Sequence, residues 1–116
     1  MFKSLYLLST LAFVKIASAA MGNSRDVSTY ANIDEVHATH MDLDFLVDFD
    51  RKVLDGIVTI TFNQTLENAK SVFLDAEGLY IMNIEYGFSN DWRPCNYYIT
   101  RPNSNLGNAV EVLIPT

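Results

Sequence analysis

The sequence predicts an all-β domain of antiparallel strands, an open sheet or a sandwich. The stretch from Met41 to Phe62 is what predicts it. Met41, Leu43, Phe45, Val47 and Phe49 are apolar and alternate with Asp42, Asp44 and Asp48, with Leu46 the one break. A period of two sends the apolar side chains to one face of a strand and the carboxylates to the other, whereas a helix would scatter them. The second observation is the same parity in Leu54, Gly56, Val58, Ile60 and Phe62, with Asp55, Thr59 and Thr61 between them. The third is the polar segment Asp50-Arg51-Lys52 joining the two, which suits a hairpin turn. This periodicity predicts that the hairpin is the best-buried unit, with Leu43, Phe45, Val47, Val58 and Ile60 inward. By the same rule Phe45, Phe49, Phe62 and Phe73 are core.

At 116 residues the chain holds one domain at most. Residues 1–20 read as a signal peptide, helical in character and separate from the β domain. Met1-Phe2-Lys3 is a basic start, Leu5 to Val14 is an apolar run, and Ala17-Ser18-Ala19 is a small-x-small cleavage site, with cleavage after Ala19 or Ala20. Lys15 interrupts this pattern, and an uncleaved anchor or an N-terminal apolar strand is the alternative. A signal peptide places the protein outside the cell or in the secretory-pathway lumen. Residues 21–35 are polar, lack periodicity and read as a flexible lead-in, and residues 36–116 form the β domain.

Loss of Lys3 and Lys15 with the leader leaves six basic residues against 14 acidic, moving the net charge from -6 to -8. That balance excludes nucleic acid as a partner, and any membrane beyond the one crossed in secretion. A secreted domain this small is usually stapled by disulfides, yet Cys95 is the single cysteine. It is then a free thiol, an intermolecular bridge, or half of a pair completed by sequence outside these residues. The run into Pro115-Thr116 directly after a core-quality strand gives the same expectation of a fragment.

Past the hairpin, Asn63-Gln64-Thr65 forms an N-glycosylation sequon as the second strand runs out. Ser71–Leu74 and Leu79–Tyr86 read as strands, with a glycine-closed turn at Asp75–Gly78 between them. Gly87–Cys95 carries Gly, Ser, Asn, Asp and Pro and reads as a loop, with Trp92 a packing residue. Asn96–Thr100 and Ala109–Ile114 read as strands and Arg101–Asn108 as a loop. No helix is expected after the leader.

His37 and His40 form the motif H-A-T-H. On a regular strand residues three apart point to opposite faces, so this pair predicts a surface or strand-entry role rather than a zinc site. Asp42, Asp44, Asp48, Asp50 and Asp55 lack the glycine and closing glutamate of a calcium loop and read as a solvated outer face. No phosphate loop, Ser-His-Asp set or Cys-His set can be assembled. The sequence assigns no catalytic, cofactor-binding or metal residue in this chain.

Val47-Asp48-Phe49, then Leu54-x-Gly56, Thr61-Phe62, Leu74-Asp75 and Leu79-x-Ile81 follow in an order that resembles the N-terminal domain of the M1 family of zinc aminopeptidases. Asp75 makes it more similar to the leukotriene A4 hydrolase branch, although the leader sequence sets the chain apart from that cytosolic branch. The resemblance spans about His37 to Pro115. It implies part of a saddle-like β domain at the N-terminus of a longer metallopeptidase, a secreted or vacuolar hydrolase. That domain would brace a zinc peptidase domain and wall its peptide-substrate cleft. Zinc would belong only to that other domain, because the helical H-E-x-x-H and G-x-M-E-N segments do not occur here. The runner-up reading is a free-standing secreted β module that binds protein or glycan.

Overall fold

The computed structural model describes residues 2–10 and 26–115. These form eight strands: β1 (Phe2–Thr10), β2 (Val36–Asp48), β3 (Val53–Gln64), β4 (Ser71–Asp75), β5 (Tyr80–Phe88), β6 (Asp91–Pro94), β7 (Tyr97–Asn103) and β8 (Gly107–Leu113). All the pairings are antiparallel, and no helix occurs among the described residues. One sheet runs β2-β3-β1-β5-β6 and the other β4-β8-β7.

The hairpin β2–β3 forms as the alternation predicts, with Met41 opposite Ile60, Leu43 opposite Val58, Phe45 opposite Gly56 and Val47 opposite Leu54. Its turn closes on the Asp48–Val53 pair, and Lys52 takes a left-handed conformation with φ of 56°. Gly56 has a local reason. A Cβ there would collide with the Asp44 carbonyl and the Phe45 ring, so the glycine lets the aromatic lie across the neighbouring strand.

The two sheets share one core. Val36, Val58, Ile60, Phe62, Ile81 and Ile84 come from the five-stranded sheet, and Val72, Val110 and Val112 from the three-stranded one, with Ala76 between. The most enclosed large side chains are Ile84, Val110 and Val112. A β-bulge aligns β5 for this. Leu8 pairs with Asn83 and Ser9 with Ile81, so Met82 is the extra residue and Ile81 and Ile84, three apart, share the inner face.

The hairpin is therefore not the best-buried unit. Val58 and Ile60 are buried and Phe45 is half-buried, but Leu43 and Val47 are each 50% exposed and Phe49 is 85% exposed. Leu43 and Val47 lie on the same face as the core residues, yet β2 is the edge of its sheet and the opposing sheet does not reach that far. Periodicity identifies a face and is silent on whether anything covers it. Phe73 is half-buried rather than enclosed.

Two further segments differ from expectation. Gly87–Cys95 is not a loop throughout: Phe88 pairs with Asp91 and Glu85 with Pro94, making a tight hairpin in which Ser89 takes a φ of 61°. Trp92 packs over Gly87, where an added Cβ would meet its ring. Phe2–Thr10, expected in a helical leader, is an extended strand between β3 and β5. Apolar runs of this length serve equally as leader or as buried strand, and the partners on either side decide between them. The cleavage site at Ala19 and Ala20, with the start of the lead-in, lies outside the described residues.

Replacing Ile84 with alanine should cost about 2–5 kcal/mol, as for a large residue deleted from a close-packed core. Replacing the half-exposed Leu43 should cost less than about 1.5 kcal/mol. Urea denaturation of both variants checks the ordering, and an equal loss would return the centre of the core to the hairpin.

Candidate functional site

Chemistry-bearing residues concentrate on the β2–β3 hairpin and at the junctions where the chain enters and leaves it. On the face turned from the core, β2 carries Asp42 opposite Thr59, Asp44 opposite Ile57 and Asp48 opposite Val53. Arg51 clamps the turn. Its backbone N–H donates to Asp48 Oδ1 at 2.8 Å, its Nε to Asp48 Oδ2 at 2.7 Å, and its Nη2 to Asp55 Oδ2 at 2.6 Å. Hydrogen bonds from the Arg51 backbone and side chain hold the Asp48 carboxyl below the usual carboxylate range. The same pairs hold the Arg51 guanidinium more firmly protonated. The acidic row is thus partly internal structure.

The two histidines do not diverge. A β-bulge at Thr39 makes His37 pair with Asn63 and His40 with Thr61, which brings both onto one face. His40 Nε2 lies 3.2 Å from Asp42 Oδ1. The sequence carried a signal for this: apolar parity is even through Val36 and Ala38 and odd from Met41 onward, and an inserted residue is what shifts it. Even so, no group of three His, Cys, Asp or Glu side chains among the described residues is arranged to hold a metal ion.

Asn63 is exposed near the end of β3, and Thr65, the third residue of its sequon, is exposed beyond it. The Thr65 N–H donates to the Glu35 carbonyl at 2.9 Å. An attached glycan would project from the edge hairpin beside His37.

Residues 26–35 are tied to the domain by polar side chains. Asp75 accepts from the Thr29 hydroxyl and, at 3.0 Å, from the Tyr30 N–H. The Tyr30 hydroxyl donates toward the Asn103 and Gly107 carbonyls and accepts from the Asn103 N–H at 3.0 Å. Asn32 gives its Nδ2 to the Ser71 carbonyl at 2.9 Å and takes the Phe73 N–H at 3.0 Å, standing in for a neighbouring strand along β4. Hydrophobic periodicity carries no trace of such bonds. Only the density of Asn, Asp and Tyr around them could have suggested these ties.

Cys95 is half-buried against the core, and its Sγ donates to the Leu113 carbonyl at 3.0 Å. Burial pushes its thiol pKa up, which leaves it a weak nucleophile. With one cysteine in the sequence, an internal disulfide is excluded.

Comparison of the chain with protein-family models, curated proteins and solved structures returns no match.

Two outcomes are expected. Because the Asp48 pKa is depressed in the folded chain, its contribution to stability is full above the ordinary carboxylate pKa of about 3.9 and is lost as pH falls through the folded value. The difference in melting temperature between the wild type and Asp48→Asn should therefore be constant near neutrality and shrink on acidification. A difference unchanged at the most acid pH would show that the clamp is not ionic. For Cys95, alkylation by iodoacetamide at neutral pH should be slow in native protein and fast in urea. Equal rates would place the thiol at the surface.

Proposed function

We propose that this chain is the N-terminal β domain of a secreted zinc aminopeptidase of the M1 type, close to the leukotriene A4 hydrolase branch. It adopts part of that family's saddle-like sandwich, is non-catalytic itself, braces the zinc domain and walls the peptide-substrate cleft. The observation that carries this reading is that the residues of the resemblance fall at joints of the fold. Asp48 anchors the hairpin turn, Gly56 lies under Phe45, and Asp75 anchors Thr29 and Tyr30. A bracing role is further supported by the half-exposed row Met41, Leu43 and Val47, on the core face but beyond the core. Rows of that kind mark a surface that another body covers. Zinc and the catalytic acids belong to the other domain. The leader directs the chain to the secretory lumen with cleavage at Ala19 or Ala20, and Asn63 carries a glycan.

Isolating the endogenous protein from its secreting cells tests the proposal. Its intact mass should far exceed the 13.1 kDa of this chain, with zinc bound and with peptides that contain H-E-x-x-H. A protein of this size alone, with no zinc peptidase associated, would favour the free-standing β module instead. The 116-residue chain by itself should release nothing from aminoacyl chromogenic substrates. Asn63→Gln should abolish the shift in gel mobility that an endoglycosidase produces on secreted protein, whereas a shift that survives the substitution would place the glycan elsewhere.

A further inference from the structure

The segment that reads as a cleaved leader is also the middle strand of the larger sheet. β1 is hydrogen-bonded on both sides: Phe2 through Thr10 pair with Asn63 through Asp55 on β3, and Ser4 through Thr10 pair with Gly87 through Tyr80 on β5. It is the one strand that joins the β2–β3 hairpin to β5–β6. Because β1 runs antiparallel to both neighbours, β3 and β5 run parallel to each other, about two strand spacings or roughly 9–10 Å apart. They cannot hydrogen-bond across that distance.

We propose that removal of the leader opens a strand-acceptor site between β3 and β5, filled by an extended apolar segment from outside residues 21–116. The proposal rests on the secretory reading of residues 1–20 given above. The structure defines the occupant through the one it holds. It is a strand of about nine residues, antiparallel to both neighbours, because only that direction satisfies the two ladders that β1 satisfies. Its central residues must be apolar at alternate positions. The register position of Leu7 lies between Val58 and Ile84, and that of Leu5 between Ile60 and Tyr86. Val58, Ile60 and Ile84 are buried, so a polar group at either position would enter the core without a partner. The alternate register positions, those of Ser4, Tyr6 and Leu8, lie opposite Thr61, Thr59 and Ile57 on β3 and set no such requirement.

A filled site is what the core requires. Without a central strand, two rows of backbone donors and acceptors lie open beside buried isoleucine and valine, and such edges capture extended chains. The β2 edge is a poorer site. A second copy pairing antiparallel about Leu43 would set Asp42 against Asp44, and like charges opposite each other are destabilising.

The test uses the 116-residue chain expressed through a secretory route, with its first residue read by N-terminal sequencing. Amide hydrogen exchange is followed across 55–63 and 80–87, alone and with three synthetic peptides. These are FKSLYLLST, which is residues 2–10, the same peptide with Leu7→Lys, and a scrambled version. Processed chain should begin near Ala20 or Met21 and exchange quickly on these strands. FKSLYLLST should slow that exchange by about tenfold or more, while the other two peptides leave it unchanged. If the processed chain unfolds, refolding with the first peptide alone supports the site equally, and failure to refold with it overturns the site. Processed chain already protected without peptide, or indifferent to it, overturns the strand site while leaving the leader reading intact. Retention of Met1 with slow exchange over 2–10 overturns both, making β1 a permanent strand.

Discussion

The five-stranded sheet is continuous only through β1. That strand supplies the hydrogen bonds joining β3 to β5, and the two hairpins it joins carry most of the residues the larger sheet gives to the core. Everything placed on the outer hairpin depends on this connection: the acidic face, the sequon at Asn63, and the half-exposed row of Met41, Leu43 and Val47. Val58 and Ile60 of β3 and Ile84 of β5 also share one core cluster with Val110 and Val112 of the opposing strand β8. Val110 and Val112 of β8 and Ile84 of β5 are the largest fully buried side chains among the described residues. Filling of the central position and closure of the core are therefore one physical problem.

Two β-bulges adjust the register around this centre. Met82 lets Ile81 and Ile84 point inward together, and Thr39 turns His37 and His40 to one side. Each bulge resolves a mismatch between the apolar pattern and a strict period of two, at the cost of locally disrupted pairing. Polar side chains make a second set of adjustments. Asp48, Asn32, Asp75 and Tyr30 satisfy backbone groups that would otherwise lie open at strand ends and edges. Their net effect is to fix turns and entry segments, where apolar burial contributes little.

The functional proposal and the strand site meet at one point. On that proposal the domain presents surface that is unfinished when alone: the β2 row in the folded chain, and the position between β3 and β5 once β1 has been removed. The row on β2 is apolar and half-exposed along its edge, and the position between β3 and β5 is held by β1. The acidic residues that might suggest chemistry are engaged with Arg51 or stand on the outer face, and His40 has Asp42 as its neighbour.

By itself the sequence determined the all-β character, the β2–β3 hairpin with its Asp50–Lys52 turn, and the strands around Val72, Ile84 and Val110. These are local matters of alternation and turn chemistry, and the pattern of side chains along a strand is sufficient for them. It could not say that Leu43 and Val47 would be half-exposed while Ile84 was enclosed, because burial depends on where a second sheet ends. It could not turn Gly87–Cys95 into a hairpin, since the pairing of Asp91–Pro94 with β5 compensates for poor strand residues. Nor could it place Phe2–Thr10, whose apolar run suits a leader and a core strand alike. Only the tertiary structure, in which that segment pairs with β3 on one side and β5 on the other, places it within the sheet.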